Sequence, residues 1–302
     1  MSKPYFVLLT ACKNEADYIE TCIRSVIKQT LRPAAWVIVD DGSSDETASI
    51  VERYARETDF IKLLRLEPRK GRSFGAQYRA IKRGLELLKD TSFDFLGVMD
   101  ADIELESDRY YEELFGEFSR SPRLGIAGGV ICERDANQKF IERKFNVPWS
   151  VAGAVQMFRR ELYEEQGGYV PLEYGGSDTL AEVSARQKGW DTRSIGGLRA
   201  LHYRPTSTAD GRLRGIFRLG MLDGSFGSHP LFMMLKCVRR IPTAPFLVGG
   251  VVFFAGYGYC RWVRRECVVP REVMTYLRCE QMGRVKALLG IGSGAVPSPN
   301  NG

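Results

Sequence analysis

The sequence predicts an α/β protein with a mixed, mostly parallel sheet, helices on both faces of the sheet, and a helical C-terminal extension. Apolar runs rich in Val and Ile alternate with amphipathic stretches over residues 5–205, as in parallel sheets with crossover helices. Acidic residues follow the runs 37–39 and 95–99, where open α/β sheets bind ligands. From residue 206, basic and apolar residues alternate instead. We therefore assign 1–205 to the α/β domain, 206–290 to the extension, and 291–302 to a disordered tail.

The first elements are three strand–helix units. Residues 5–10, 37–39 and 61–66 are predicted strands, because continuous apolar runs are typical of buried parallel strands. Each is followed by a helix whose apolar residues recur at helical spacing. Ser43 and Glu46 fit a capping box, which predicts that the second helix begins there.

A basic loop containing Gly71 precedes the third of these helices. Backbone N–H groups at a helix N-terminus can cradle a phosphate group, so Gly71 is a candidate phosphate contact. A solvated basic loop is the simpler interpretation of this stretch alone.

The later elements follow the same periodicities. The predicted strands are 95–99, 124–132 and 199–205, and the predicted helices are 108–118, 161–166 and a segment that begins at Asp178. Residues 133–146 are predicted to form a polar loop.

Composition excludes several classes of protein. The seven cysteines are scattered without a Cys-x-x-Cys pair, which argues against a disulfide framework or a zinc knuckle. The net charge of +6 is concentrated after residue 200 and suits anionic partners such as diphosphates or an acidic membrane surface. Because no nucleic-acid module is visible, we expect no nucleic-acid partner. No signal-peptide apolar region is visible, so we expect a cytosolic protein.

Three acidic motifs contain the candidate binding and catalytic residues. Asp40 and Asp41 end the second strand, although an Asp-Gly turn is also ordinary turn chemistry. Asp100 and Asp102 end the fourth, where residues two apart point to the same side and can face one divalent cation. Asp178 begins a helix after a Gly-rich stretch, where an N-cap is the alternative role.

The extension has the features of a membrane-associating segment. Residues 241–260 carry no charge over about 20 residues, roughly the length that crosses a bilayer core. Their glycines, prolines and basic flanks fit a re-entrant or interfacial element at least as well. A buried helical hairpin is the alternative.

In combination and in order, these motifs resemble glycosyltransferase family 2, whose members have the GT-A fold. The resemblance covers about residues 5–205. It rests on Thr10 with Asn14 and Glu15, residues 39–45, 99–102, 156–160, 167–169 and 175–178. The extension resembles the C-terminal part of membrane-associated polysaccharide and lipid-linked glycan transferases.

The resemblance implies a nucleotide-sugar donor. Asp41 would hydrogen-bond the uracil ring of a UDP-sugar, and Thr10, Asn14 and Glu15 would line the same pocket.

It also implies a metal site and a base. Asp100 would contact the ribose or the metal, and Asp102 would hold the Mg²⁺ or Mn²⁺ that bridges the diphosphate. His202 would be a further metal or phosphate contact, and Asp178 would be the general base for the acceptor hydroxyl.

We therefore expect an inverting, metal-dependent glycosyltransferase at the cytoplasmic face of a membrane, with a lipid-linked saccharide or glycan as acceptor. In-line displacement inverts the anomeric centre and needs no covalent nucleophile. Ser177-Asp178 replaces the acidic pair that is usual at the base, and the Gln-x-x-Arg-Trp motif of processive synthases is missing, so polymer synthesis by this chain alone is not expected.

Two other functions are considered. A nucleotidyltransferase would need a Gly-rich basic signature after the first strand, where residues 11–15 differ. A catalytically inactive scaffold subunit is opposed by the presence of Asp41, Asp102 and Asp178.

Overall fold

The computed structural model describes residues 4–68, 75–135, 137–143, 146–204, 211–241, 245–265 and 267–291. The chain forms two compact units. The first contains the chain up to Glu173, Ser177–Arg186 and the strand that starts after Trp190; the second contains Tyr174–Gly176, Gln187–Gly189 and the C-terminal helices.

The first unit is a single sheet with helices. Its strands are β1 (Phe6–Cys12), β2 (Ala35–Asp40), β3 (Ile61–Arg65), β4 (Phe95–Met99), β5 (Ile103–Leu105), β6 (Leu124–Arg134), β7 (Phe140–Glu142), β8 (Val155–Arg159) and β9 (Asp191–His202). Its helices are α1 (Ile19–Ile27), α2 (Thr47–Glu57), α3 (Gly75–Glu86), α4 (Tyr110–Arg120), α5 (Arg160–Glu165) and α6 (Ser177–Gln187).

The strand order explains where the functional residues lie. The order is β3-β2-β1-β4-β8-β6-β9-β5, with β7 paired to β6. The strands β3, β2, β1 and β4 run parallel, so their carboxyl ends meet at one edge of the sheet. The strand β8 runs antiparallel between β4 and β6, while β9 runs parallel to β6. The predicted mixed, mostly parallel α/β sheet is confirmed.

Burial follows the apolar runs of the sequence. Every residue of β2 and β4 is buried, as parallel strands covered on both faces require. Trp36 of β2 is completely buried.

A cluster of aromatic rings and one arginine packs around β4 and β8. The rings of Phe95 and Phe118 lie 4.9 Å apart, and the guanidinium of Arg159 covers both. The same guanidinium donates to the main-chain oxygens of Phe118 and Leu124, each at 2.8 Å, and of Ser121 at 3.3 Å. Arg159 therefore ties the end of α4 to the centre of the sheet.

Several sequence predictions need correction. The helix α2 begins at Thr47, and the side chain of Glu46, its N-cap residue, makes no capping hydrogen bond. The predicted capping box of Ser43 and Glu46 is therefore wrong. The predicted polar loop 133–146 contains β7, and the small-residue run before residue 160 contains β8. The strand β9 starts eight residues before the predicted 199.

The second unit is helical. It contains α7 (Arg212–Ser225), α8 (Pro230–Arg240), α9 (Val248–Gly258), a π-helical segment (Tyr259–Arg264) and α10 (Arg271–Leu288). Glycines let α7 and α9 approach closely: a Cβ on Gly220 would lie 2.0 Å from the oxygen of Phe253, and one on Gly256 would lie 2.1 Å from that of Phe217.

Residues 241–260 do not form one long helix, since α9 begins at Val248. Across the described ranges of the chain, each helix is too short or too polar to cross a bilayer. The predicted tail 291–302 lies outside the described residues apart from Ile291.

Candidate active site

The first group of site residues follows β1 and β2. The carboxylate of Asp40 accepts the amide of Ser43 at 3.0 Å and thereby closes the Asp-Asp-Gly turn. Gly42 has φ +74°, and a Cβ there would lie 2.5 Å from Cα of Pro68, so the turn requires glycine. Asp41 follows, largely buried, with its amide bonded to the oxygen of Cys12 at 2.9 Å.

Hydrogen bonds join the loop after β1 to this turn. The amide of Asn14 donates to Oγ of Ser43 at 2.9 Å, and Oδ1 of Asn14 accepts the amide of Ser44 at 2.8 Å. The amide of Glu15 donates to Oγ1 of Thr47 at 2.7 Å. The helix α2 begins four residues after Ser43, so the hydroxyl of Ser43 does not cap it; the carboxylate of Asp45 accepts the amide of Thr47 at 3.1 Å instead. Asn14 therefore shapes the wall of the predicted nucleotide pocket.

Thr10 lies deeper than the predicted pocket lining. Its side chain is completely buried, and its hydroxyl accepts the indole N–H of Trp36 at 3.0 Å. The structure thus places Thr10 in the hydrophobic core of the first unit. Gly71, the predicted phosphate contact, lies outside the described residues.

A charged cluster joins β1, β4 and β9. Arg204 donates to Oδ2 of Asp102 at 3.1 Å and to Oε1 of Glu15. His202 places Nε2 3.4 Å from the same Asp102 oxygen and Nδ1 3.7 Å from Glu133. The cluster therefore brings together residues that are far apart in the sequence.

Burial and charge set the ionisation of this cluster. Burial raises the pKa of Glu15 to about 7, against the opposing effect of Arg204. Burial also acts on Asp102, but His202 and Arg204 outweigh it and lower its pKa. Oε2 of Glu15 is buried without a hydrogen-bond partner among the described residues, which leaves an acceptor for a ligand in the predicted pocket.

Asp100 lies at the end of β4 beside Asp102. Its side chain accepts from Nε2 of Gln77 on α3, and its amide donates to the oxygen of Ala154 at 3.0 Å. Burial, followed by the charge of Asp102, raises the pKa of Asp100.

The carboxylates at this site suit a hard divalent cation that takes its remaining ligands from a bound molecule. Within the described ranges, no three His, Cys, Asp or Glu side chains form a ready metal cluster. Mg²⁺ is usually bound by one or two carboxylates together with substrate phosphates. Asp100 and Asp102 supply that number of carboxylates.

The third acidic site is Asp178, in the first turn of α6 rather than at its N-cap. Its half-buried carboxylate accepts backbone N–H groups from Thr179 and Gly153, and burial raises its pKa. A Cβ on Gly153 would lie 2.8 Å from Oδ2 of Asp178, so glycine allows this close approach. The arrangement gives a carboxyl group that is ready to accept a proton nearer neutral pH.

Three side chains that contact the candidate site residues or their supporting loop were not identified from the sequence. Gln77 and Glu182 lie on helix faces, where polar residues are usually solvated, and no local pattern distinguishes them. Arg204 follows the candidate His202 by two positions in a predicted strand, a spacing that places both on one side and was a usable signal.

The strand order, the carboxylate pair after β4 and the acidic residue that begins α6 define the GT-A class of glycosyltransferases. The family described as "Glycosyl transferase family 2" matches residues 8–170. The chain belongs to this family.

Curated relatives include the poly-beta-1,6-N-acetyl-D-glucosamine synthases of Staphylococcus aureus (strain MSSA476) and Staphylococcus epidermidis. The chain is 31% and 29% identical to them over 121 residues, which are 40% of this chain. The match spans only 27% of the length of these relatives.

Two solved structures share the fold at 16% identity. A mannosyltransferase from Pyrobaculum calidifontis, in complex with GDP-Man and Mn²⁺, has a TM-score of 0.56, with 97% of this chain and 77% of that chain covered. TarS 1-349 of S. aureus, in complex with UDP-GlcNAc, has a TM-score of 0.53, with 97% and 82% covered.

Proposed function

We propose that this protein is an inverting, metal-dependent glycosyltransferase that moves a sugar from a nucleotide-diphosphate donor, a UDP-sugar, to a hydroxyl of a lipid-linked saccharide or glycan. One observation carries the proposal: a carboxylate pair follows β4, and a separate carboxyl group with a raised pKa begins α6. Sugar transfer needs both a site for a diphosphate with its cation and a base for the acceptor.

The donor binds beyond the carboxyl ends of β1, β2 and β4 in this proposal. Asp41 contacts the base, Asn14 and Glu15 form the wall, and Gly71 contacts the diphosphate. The matched structures hold GDP-Man and UDP-GlcNAc, and the curated relatives are named for N-acetylglucosamine polymers, which supports a nucleotide-sugar donor.

Asp102 and Asp100 would hold Mg²⁺ or Mn²⁺, and His202 would orient Asp102 or complete the ligand set. When bound, the cation neutralises the charge that develops on the leaving diphosphate. The Mn²⁺ in the matched mannosyltransferase supports this assignment.

Asp178 accepts the proton of the acceptor hydroxyl. Its raised pKa makes it a stronger base than an ordinary aspartate. The hydroxyl attacks the face of the sugar opposite the diphosphate, and one displacement inverts the anomeric centre.

Calorimetry of UDP binding with and without Mn²⁺ tests the donor site, and UDP release from UDP-GlcNAc tests turnover. Asp102→Asn is expected to lose the Mn²⁺-dependent part of binding. Asp178→Asn is expected to bind UDP like the wild type and to lose transfer. Full activity of Asp178→Asn refutes its role as base, and absence of binding to any nucleotide favours the scaffold alternative.

We propose further that the extension binds the cytoplasmic face of a membrane, where a lipid-linked acceptor is presented. The support is a surface that we call the α8–α9 face. Its exposed apolar residues are Leu231, Met234, Val238 and Ile241 along α8, and Val248, Val251, Phe254, Tyr259, Trp262 and Val263 along α9 and the π-helical segment. The residues along α8 are three or four positions apart, which places them on one side of that helix. Those along α9 and the π-helical segment are three to five positions apart, except for the adjacent pair Trp262 and Val263.

The charge of this segment fits anionic lipid. From residue 230 to residue 265 the sequence has five Arg, one Lys and no acidic residue. Val251 is 69% exposed and Trp262 is 61% exposed; an aromatic residue with a polar tip suits the lipid headgroup level. These features favour a helix pair that lies in the interface.

Flotation with vesicles tests this surface. The chain is expected to bind vesicles that contain phosphatidylglycerol and to bind phosphatidylcholine vesicles less. Val251→Glu is expected to weaken binding by about tenfold or more, since burial of one valine contributes about 1.5–3 kcal/mol. Val170→Glu, at an exposed valine of the first unit, is the matched control. Binding that is equal for both variants, or independent of lipid charge, refutes the proposal.

A further inference from the structure

One face of α6 holds a single short segment of the chain. Asp178, Glu182 and Arg186 are four residues apart, so their side chains lie on the same side of the helix. The segment that they hold is 149–154, which enters β8; we call it the 149–154 segment.

The contacts run in order along the segment. Arg186 donates to the main-chain oxygen of Trp149 at 3.3 Å. The carboxyl of Glu182 accepts the hydroxyl of Ser150 at 2.7 Å and the amide of Val151.

The end of the segment reaches both halves of the proposed active site. The amide of Gly153 donates to Asp178, and the oxygen of Ala154 accepts the amide of Asp100 at 3.0 Å. The 149–154 segment is thus bonded to the proposed base on one side and to the proposed metal-binding strand end on the other.

We infer that Glu182 is a positioning residue, which fixes the distance between the base Asp178 and the donor site by holding the 149–154 segment against α6. This inference rests on the proposed function. Glu182 is almost completely buried, and a buried carboxyl is costly unless it is bonded; its two hydrogen bonds to the segment offset that cost.

A glutamine at this position keeps the anchor. Its carbonyl oxygen can accept the amide of Val151, and the hydroxyl of Ser150 can turn to accept from its amide group. An alanine removes both bonds and loosens the middle of the segment, while the bonds at Trp149, Gly153 and Ala154 remain. The two variants therefore separate anchoring from the charge of Glu182.

The test compares Glu182→Ala, Glu182→Gln and Gln29→Ala. Gln29 is equally buried, and its side chain donates to the main-chain oxygens of Ser25 and Ser107, neither of which belongs to the 149–154 segment, so its replacement controls for lost stability. The measurements are UDP release from UDP-GlcNAc with water as acceptor, and amide hydrogen exchange of residues 149–154.

Glu182→Ala is expected to lower kcat by about 10- to 100-fold, because small displacements of reacting groups have effects of this size. Its KM for the donor is expected to stay within about twofold, because the contacts that bind the donor equally in the ground and transition states are unchanged. Amide hydrogen exchange in the segment is expected to become faster. Glu182→Gln is expected to restore kcat and exchange to near the wild-type values.

Wild-type kcat in Glu182→Ala, a change in KM alone, or an equal loss of kcat in Gln29→Ala overturns the inference. If the wild type itself releases UDP from neither UDP-GlcNAc nor any other UDP-sugar, the proposed function fails. The exchange data still decide the anchor in that case: unchanged exchange in Glu182→Ala refutes it, and faster exchange that glutamine reverses supports it.

Discussion

Replacement of Thr10 by valine tests whether this residue supports the core or lines the nucleotide pocket. The change is nearly isosteric and removes only the hydroxyl, which accepts the indole N–H of Trp36 at 3.0 Å. Both side chains are completely buried, so the indole N–H loses its partner where water cannot replace it. A buried donor left without a partner costs about 1–3 kcal/mol. For a unit of this size that lowers Tm by about 2–4 °C per kcal/mol.

Urea denaturation followed by tryptophan fluorescence gives the loss of stability, and calorimetry with UDP gives the binding. Thr10→Ser keeps the acceptor and loses only a methyl group, at about 1 kcal/mol. In a Trp36→Phe background the indole N–H is gone, so the added cost of Thr10→Val is expected to fall to nearly zero. That double-mutant cycle isolates the hydrogen bond.

An unchanged denaturation midpoint combined with weaker UDP binding would refute this reasoning. Thr10 would then contact the nucleotide, as the resemblance implied. An equal cost of Thr10→Val in both backgrounds would show that the loss arises from packing and not from the hydrogen bond to Trp36.

Three further predictions follow from other sites. Burial raises the pKa of Glu182 from 4.5 to about 7, so between these pH values the folded state binds more protons than the unfolded state. The free energy of unfolding therefore falls by about 3 kcal/mol as pH rises from 4.5 to about 7. Glu182→Gln should lack this fall, which urea denaturation midpoints measured at both ends of the range would show. Gly153→Ala should lower kcat about 10- to 100-fold with unchanged UDP affinity, because its Cβ would lie 2.8 Å from Oδ2 of Asp178. Arg159→Met should cost about 2–4 kcal/mol by calorimetric unfolding, because three main-chain oxygens lose their donor. Arg56→Met, which breaks an exposed ion pair with Glu52, should cost less than about 1 kcal/mol.

The sequence predicted those parts of the fold whose signal is local. Residues 37–39 and 95–99 are continuous apolar runs that need burial on both faces, and the structure has β2 and β4 there. The acidic residues after them therefore lie at one edge of the sheet, as the parallel order requires.

The parts that escaped prediction depend on contacts between distant residues. The part of β9 before residue 199 contains Gly196 and Gly197, and its pairing with β6 has two register shifts. It therefore shows neither a continuous nor an alternating apolar pattern. The hydroxyl of Ser43 had two possible partners, and the amide of Asn14, 29 residues earlier, is the one it accepts. No local rule for helix caps includes such a competitor.

The charged cluster of Glu15, Asp102, His202 and Arg204 has a consequence for protein synthesis. A chain emerging from the ribosome carries Asp102 about 100 positions before His202 and Arg204, and Glu15 about 190 positions before them, which gives delays of roughly 5–20 s and 10–40 s at ordinary elongation rates. During that interval the early strands hold carboxylates whose partners have not yet been made. A nucleotide that binds only the completed cluster would stabilise finished molecules selectively, by an amount set by its concentration relative to Kd. The supply of donor in the cell would then influence the survival of the protein as well as its rate of turnover.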